Sequence, residues 1–419
     1  MAFYNKQFQS FQLKNGLNII TRQDNNSDIA TLSFRIKAGS RYEKENELGY
    51  AHLLEHMLLK GTKNFPSPFE IGYAVDRAGA YLNASTGQEL SSVYIQVAKE
   101  KWQEMFKLLC DIISNPIFQK EIFENEKKVI FQEIKKTNDN PNKYLWIKTI
   151  KNIFKNHPLS HHPLGDEEII KKAVVENLID YRERLFIPNN MVLIANGAID
   201  NEELIRITEQ EFSVQDNIQQ KSGQFDYSVP QINKGEGFEY FNSSQSYFNF
   251  NFVSARADLK DYLALQLISI FLGSLKTSIL YQELRQKMGL VYNVNAYNTG
   301  YQDANLFYIE TSSNYPDKVI PIVIEKLLNF EKYFSESLLK EYQEQYVNSL
   351  IRKLSDPFNE IKFLSEYWFL YNGINQLSDL INIINSIKYE DLFRIKNQYL
   401  NENNLFIMKI GKDNPQIPA

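Results

Sequence analysis

The 419-residue sequence predicts an α+β protein: two tandem, homologous α/β-sandwich domains, each an antiparallel-rich sheet with helices. Three observations predict it. One order of elements is written twice along the chain. Runs with period-two alternation are separate from runs with a period near 3.6. A polar stretch without apolar periodicity divides the two copies.

The first copy begins with "ATLSFRIKAGS" (30–40), an alternating strand rich in β-branched and aromatic residues. A helix follows in "AHLLEHMLLKGT" (51–62). Then "PFEIGYAVDRAGAYLNAS" (68–85) reads as a second helix ending at glycine and a strand, and "LSSVYIQVA" (90–98) as another strand. The second copy repeats this in "SYFNFNFVSA" (246–255), "DYLALQLISIFLGS" (261–274), "ILYQELRQKMGLVYNVNAY" (279–297) and "ANLFYIETS" (304–312). The tails also match. Residues 180–200 and 394–412 each give a helix, an Asn-containing turn and a buried strand ending in Gly. The expected domains are therefore 1–215 and 235–419, with a polar linker over 216–234.

Composition narrows the function. Net charge is −5, which speaks against a nucleic-acid partner or an anionic-membrane surface. No apolar run approaches the roughly 18 residues of a membrane-spanning helix. The start has neither a secretory-signal nor a transit-peptide pattern, and the expectation is a soluble, cytoplasmic chain. The single cysteine, Cys110, sits in apolar "MFKLLCDII" and reads as a buried structural thiol in a reducing compartment.

Helix 51–62 carries His52, Glu55 and His56 within an otherwise apolar run. Shifted by 212 residues, these positions fall on Ala264, Leu267 and Ile268, while Tyr50 falls on Tyr262 and Gly61 on Gly273. The second copy is this helix as plain core. On the first, His52 and His56 at i and i+4 share a face and can point both imidazoles at one ion, with Glu55 beside them. The order H-x-x-E-H reverses the zinc-protease motif H-E-x-x-H. A catalytic zinc takes three protein ligands and an open position. The third candidate lies in "EIFENEKKVIFQEIKKTND", where Ile122, Glu126, Val129 and Glu133 form one helical stripe.

With these residues in place, the sequence resembles the M16 metallopeptidases, the group of pitrilysin, insulin-degrading enzyme and mitochondrial processing peptidase. The likeness runs through "LKNGLNII", "AGSRYE", "HLLEHMLLKGT", "LNAST", "HPLSHHPLG", "IPNNMVLIANG" and "ELRQKMGLVYNV", in the family's order. It implies that His52, His56 and Glu133 ligate one zinc per chain, that Glu55 is the general base, and that Glu126 is a supporting acid. It further implies that Asn83 and Ala84 belong to an edge strand holding the substrate main chain. Arg285 and Tyr292 match a pair that closes over the substrate, and both can donate to a carbonyl gaining negative charge. Where many relatives have a glycine-rich "GG-SSRL" run, this chain has "LGSLKTSIL" with Gly273 alone, so no gating role is carried over to that loop.

The resemblance implies the M16/LuxS-like fold and half of a clamshell chamber. It also implies an activity, zinc-dependent endoproteolysis of unfolded peptides or of leader and presequence-like segments. At 49.0 kDa the chain matches the short, two-domain branch. With zinc motif and Arg/Tyr pair on one chain, a homodimer is expected, a heterodimer with a paralogue being the alternative. The competing function is a non-catalytic peptide-binding or assembly subunit. Two imidazoles and a carboxylate would also suit manganese or cobalt. His157, His161 and His162 lie in a Pro-flanked loop without helical spacing and are read as structural.

Overall fold

The computed structural model describes residues 7–214, 228–231, 233–371, 373 and 376–413. Among the described residues, eleven strands form two sheets. The first contains β1 (Gln9–Gln12), β2 (Asn18–Gln23), β3 (Ile29–Ile36), β4 (Tyr81–Thr86), β5 (Ser91–Ala98) and β6 (Met191–Gly197), ordered β1-β2-β6-β3-β5-β4. The second contains β7 (Gly235–Tyr240), β8 (Ser246–Ala255), β9 (Val294–Gly300), β10 (Ala304–Ser313) and β11 (Leu405–Gly411), ordered β7-β11-β8-β10-β9. Apart from the extra β1, the two orders are the same. Each sheet has one parallel pairing, β2 with β6 and β7 with β11, and is otherwise antiparallel. The predicted repeat and the antiparallel-rich α+β class are therefore both present.

Strand β3 shows why the sheets need two covers. From Ala30 to Ile36 every residue is buried, polar Thr31, Ser33 and Arg35 included. Phe34 stacks on Phe106 of α3 (Trp102–Ser114), their centroids 6.4 Å apart. The opposite face of β3 and β6 is covered by helix Pro357–Tyr371. In the second sheet, α5 (Pro141–Ile153) does the corresponding work. Its Leu145, Ile150 and Ile153 pack with Val253, Leu306, Met408 and Ile410.

These covers change the domain boundaries. One compact unit comprises Met1–Lys136, His161–Asp226 and Lys353–Leu377; the other comprises Thr137–Ser160, Tyr227–Arg352 and Ser378–Ala419. The sheets keep to the expected halves, but each half lends one helical segment to the other unit. A sheet with two apolar faces must bury both, and the second cover here is distant in sequence. The expected linker, 216–234, falls largely on residues outside those described.

The connections into the repeated helix differ. From β3 to α1 (Tyr50–Leu58) the chain runs through 37–49, with a short 3-10 turn at Ser40–Tyr42. From β8 to helix Leu259–Ser269 it runs only through 256–258. Gly49, which precedes α1, has φ of 103°, and a Cβ there would meet the Ile170 side chain at 2.7 Å. Among the described residues no helix is long and apolar enough to cross a membrane.

Candidate metal centre

Helix α1 divides its faces as its sequence suggests. Tyr50, Ala51, Leu53, Leu54, Met57 and Leu58 are buried, whereas His52, Glu55 and His56 are half-buried on the other side. Opposite lies α4 (Lys120–Asn138), which places Glu126 and Glu133. Its stripe is less apolar than expected: Glu126 is buried, but Val129 is 44% exposed.

Nε2 of His52 lies 3.5 Å from Glu133 Oε2, and Nε2 of His56 lies 3.7 Å from the same oxygen. One ligand atom from each residue falls within 4.8 Å of the others, and no other such cluster occurs among the described residues. Tetrahedral ligands at zinc distances sit about 3.4 Å apart, so two imidazole nitrogens and a carboxylate oxygen at this spacing suit a zinc ion. Spacing named the two histidines, the family resemblance singled out Glu133, and the fold brings the three together.

The outer nitrogens of the two histidines are treated differently. His56 Nδ1 is 3.0 Å from Glu126 Oε2, and the other Glu126 oxygen takes an ion pair from Lys60 Nζ at 2.8 Å. Burial acts to raise the Glu126 carboxyl, but the hydrogen bonds from Lys60 and His56 outweigh it and hold the group below its usual range. His52 Nδ1 is buried and has no hydrogen-bond partner. Burial, with smaller contributions from His56 and His162, pushes His52 down to about 4, so its ring stays neutral. Burial also raises the Glu55 carboxyl, against the lowering effect of a hydrogen bond with Thr86.

Asn83 and Ala84 lie on β4, an outer strand of the first sheet. Asn83 Nδ2 donates to the Tyr81 and Tyr94 hydroxyls at 3.2 Å each. The amide of Ala84 donates to Asn83 Oδ1 at 2.9 Å. Arg285 and Tyr292 belong to the second unit. Arg285 stands on a π-helical turn, Tyr281–Lys287, and its guanidinium lies 4.9 Å over the Tyr292 ring. Tyr292 is 77% exposed and precedes β9 instead of lying within a strand, as its sequence suggested. Both line a cavity of about 420 Å³ with Gly273 and Tyr281.

No histidine of the 157–162 loop joins the ligand trio, although His162 lies near enough to His52 to help lower it. His157 is buried and accepts from the Leu159 amide at 3.2 Å, with Asp303 3.3 Å from its ring; His161 Nδ1 faces the Ser40 carbonyl. Cys110 is fully buried, which pushes its thiol well above the usual range. Sequence reasoning missed three groups around the centre. Lys60, at i+4 from His56, was legible from spacing. Glu43, whose carboxylate meets the start of α1, stood inside the quoted "AGSRYE". Thr86 ended the quoted "LNAST", but its spacing gave no link to Glu55, since only β4 brings it there.

Two family models match the chain: insulinase (peptidase family M16) over residues 18–167, and peptidase M16 inactive domain over residues 172–346. The chain belongs to the M16 family of peptidases. Some of its relatives are named as zinc proteases and others as mitochondrial-processing peptidase beta subunits. It is 28% identical to an uncharacterized zinc protease of Rickettsia bellii, over 93% of this chain and 94% of that one. It is 26% identical to the mitochondrial-processing peptidase subunit beta of Dictyostelium discoideum, over 88% of this chain and 77% of that one. Its fold matches a protease from Helicobacter pylori, with a TM-score of 0.91 at 20% identity over 97% of this chain and 100% of the other. It also matches a peptidase M16 inactive domain from Pseudomonas fluorescens, with a TM-score of 0.87 at 19% identity over 98% and 99% of the two chains.

Proposed function

We propose that the chain is a zinc-dependent endopeptidase acting on unfolded peptides or leader-like segments, with one zinc per chain. The observation that carries this reading is the convergence of His52, His56 and Glu133 on one point beside a half-buried carboxylate, Glu55. Bound there, zinc would supply Lewis acidity toward a peptide carbonyl and favour ionisation of an adjacent water.

The chain's own residues do the remaining work. Glu55 accepts a proton from the attacking water and delivers it to the leaving amine, while the water oxygen bonds to the carbonyl carbon and the C–N bond breaks. Its raised affinity for a proton suits both halves of that transfer. Glu126 fixes the His56 ring through Nδ1, leaving Nε2 directed at the ligand cluster. The outer edge of β4, at Asn83 and Ala84, can add a peptide as a further strand. Arg285 and Tyr292 offer donors to a substrate carbonyl. The assembly we propose is a homodimer, which light scattering on the active species checks; an active monomer would contradict it.

The test pairs metal content with cleavage of a quenched fluorescent peptide. About one zinc per chain, with activity lost to a chelator and restored by zinc, is the expected result. A chain without zinc, whose fold ignores the chelator, would favour the binding-subunit reading instead.

A further inference from the structure

We infer that Glu43 is a positioning residue for His52: its carboxyl group fixes the first turn of α1 and so sets the centre's affinity for metal. The inference rests on the metal reading above and extends it to a residue outside the cluster.

A helix begins with backbone N–H groups that have no partner inside it. In α1 the usual remedy is missing, because the residue before the helix is Gly49, which has no side chain to cap with. Glu43 supplies the acceptor from six residues upstream. Oε2 accepts from the Gly49 amide at 3.0 Å, and Oε1 accepts from the Ala51 amide at 2.8 Å. The residue is only 5% exposed, so water is a poor substitute for it.

Ala51 immediately precedes His52, and the two metal histidines are secured in different ways. Glu126 holds His56 by its ring nitrogen, and Lys60 holds Glu126. His52 Nδ1 has no such protein partner. The direction of the His52 ring therefore depends on the backbone of the first turn, and the Glu43 carboxyl group grips that backbone.

The second copy supports the assignment independently. There the connection is reduced to 256–258, and Asp258 caps the helix locally by accepting from the Asp261 amide at 2.9 Å. That helix carries no histidine. The long connection through 37–49, which brings Glu43 to α1, thus accompanies the metal residues and is absent where they are absent. It is also firmly held. The Tyr181 hydroxyl donates to the Ala38 carbonyl at 3.0 Å, Ser40 Oγ to the His161 carbonyl at 2.7 Å, and Arg184 Nη1 to the Tyr42 carbonyl at 3.2 Å. An anchor must itself be fixed, and this one is.

The experiment is zinc affinity of the full chain, measured by competition with a chromophoric chelator, for wild type, Glu43→Gln, Glu43→Ala and Asp200→Ala. Asp200 is the control, because it caps helix Asn201–Glu211 in the same unit by accepting from the Glu203 amide at 2.8 Å. Groups that orient metal ligands change affinity about 10–100-fold when removed, and that loss is expected for Glu43→Ala. Glu43→Gln turns one accepting oxygen into an NH2 and should lose less. Asp200→Ala should lower the thermal midpoint and leave zinc affinity unchanged. Should Glu43→Ala fail to fold, Glu43→Gln decides. A folded Glu43→Gln binding zinc within twofold of wild type overturns the inference, as does an equal loss in Asp200→Ala. If wild type itself binds no zinc, the metal reading fails and this inference with it; a normal wild type with unaffected variants sinks this inference alone.

Discussion

Glu126 Oε2 lies 3.0 Å from His56 Nδ1, so a carboxylate one helix away decides which imidazole nitrogen faces the ligand cluster. Lys60 takes the second oxygen at 2.8 Å and helps keep the acid ionised. Removing Lys60 leaves Glu126 with one partner; removing the Glu126 charge frees the ring. Glu126→Gln is expected to weaken zinc binding about 10–100-fold, and Lys60→Met to weaken it by less. Chelator competition on the two purified variants measures both. Equal affinity in Glu126→Gln and wild type would mean that His56 is oriented by packing alone.

Glu55 is given the proton transfer and no ligand role. Glu55→Gln should lower kcat by about 10²–10⁴ while zinc content and peptide binding stay near wild type. Metal analysis, cleavage rate and anisotropy of a labelled peptide separate these quantities. Loss of zinc along with activity would place Glu55 among the ligands.

Much of this centre was legible in the sequence because its parts are local. His52, Glu55 and His56 occupy one and a half turns, and Glu126 and Glu133 share one stripe of a helix. The repeat was legible for the same reason, since strands β3 and β8 and the helices after them carry their own periodicity. What could not be read was tertiary. Nothing in the pattern of α5 says that its Leu145 and Ile150 pack with Val253 and Met408, and nothing around Pro357–Tyr371 points to the first sheet. Thr86 meets Glu55 only because β4 brings it there. Glu43 lies between these cases: its motif was visible, but its target six residues on depends on the left-handed turn at Gly49.

Glu43 also makes stability depend on pH. Burial raises its carboxyl to about 8, against the pull of the backbone amides it accepts from. The unfolded chain releases that proton near 4.5, so between about 4.5 and 8 the folded state holds a proton that the unfolded state lacks. Stability from this group is therefore full below about 4.5 and declines as pH rises toward 8. Each unit of separation corresponds to about 1.4 kcal/mol. Denaturant unfolding of metal-free protein across this range should show the decline, and Glu43→Gln should flatten it. An equal slope in the variant would place the linkage elsewhere.

The outer edge of β4 offers a test of how substrate is held. The Ala84 amide donates to the side chain of its neighbour, Asn83, at 2.9 Å, which places that N–H on the side of the strand away from β5. An added peptide strand would take this donor in place of Asn83 Oδ1. Proline is tolerated on an edge strand where its missing N–H points outward, so Ala84→Pro should fold. It removes one main-chain hydrogen bond to substrate, worth about 1 kcal/mol, or roughly a fivefold rise in KM. Zinc affinity should not move, because no ligand lies on β4. Asn83→Ala acts in the opposite sense on the same donor: it frees the amide and should not raise KM through that bond. Steady-state kinetics on one peptide series compares the two. If Ala84→Pro folds, binds zinc normally and keeps its KM, the peptide does not extend this sheet, and strand addition at β4 is wrong for this chain.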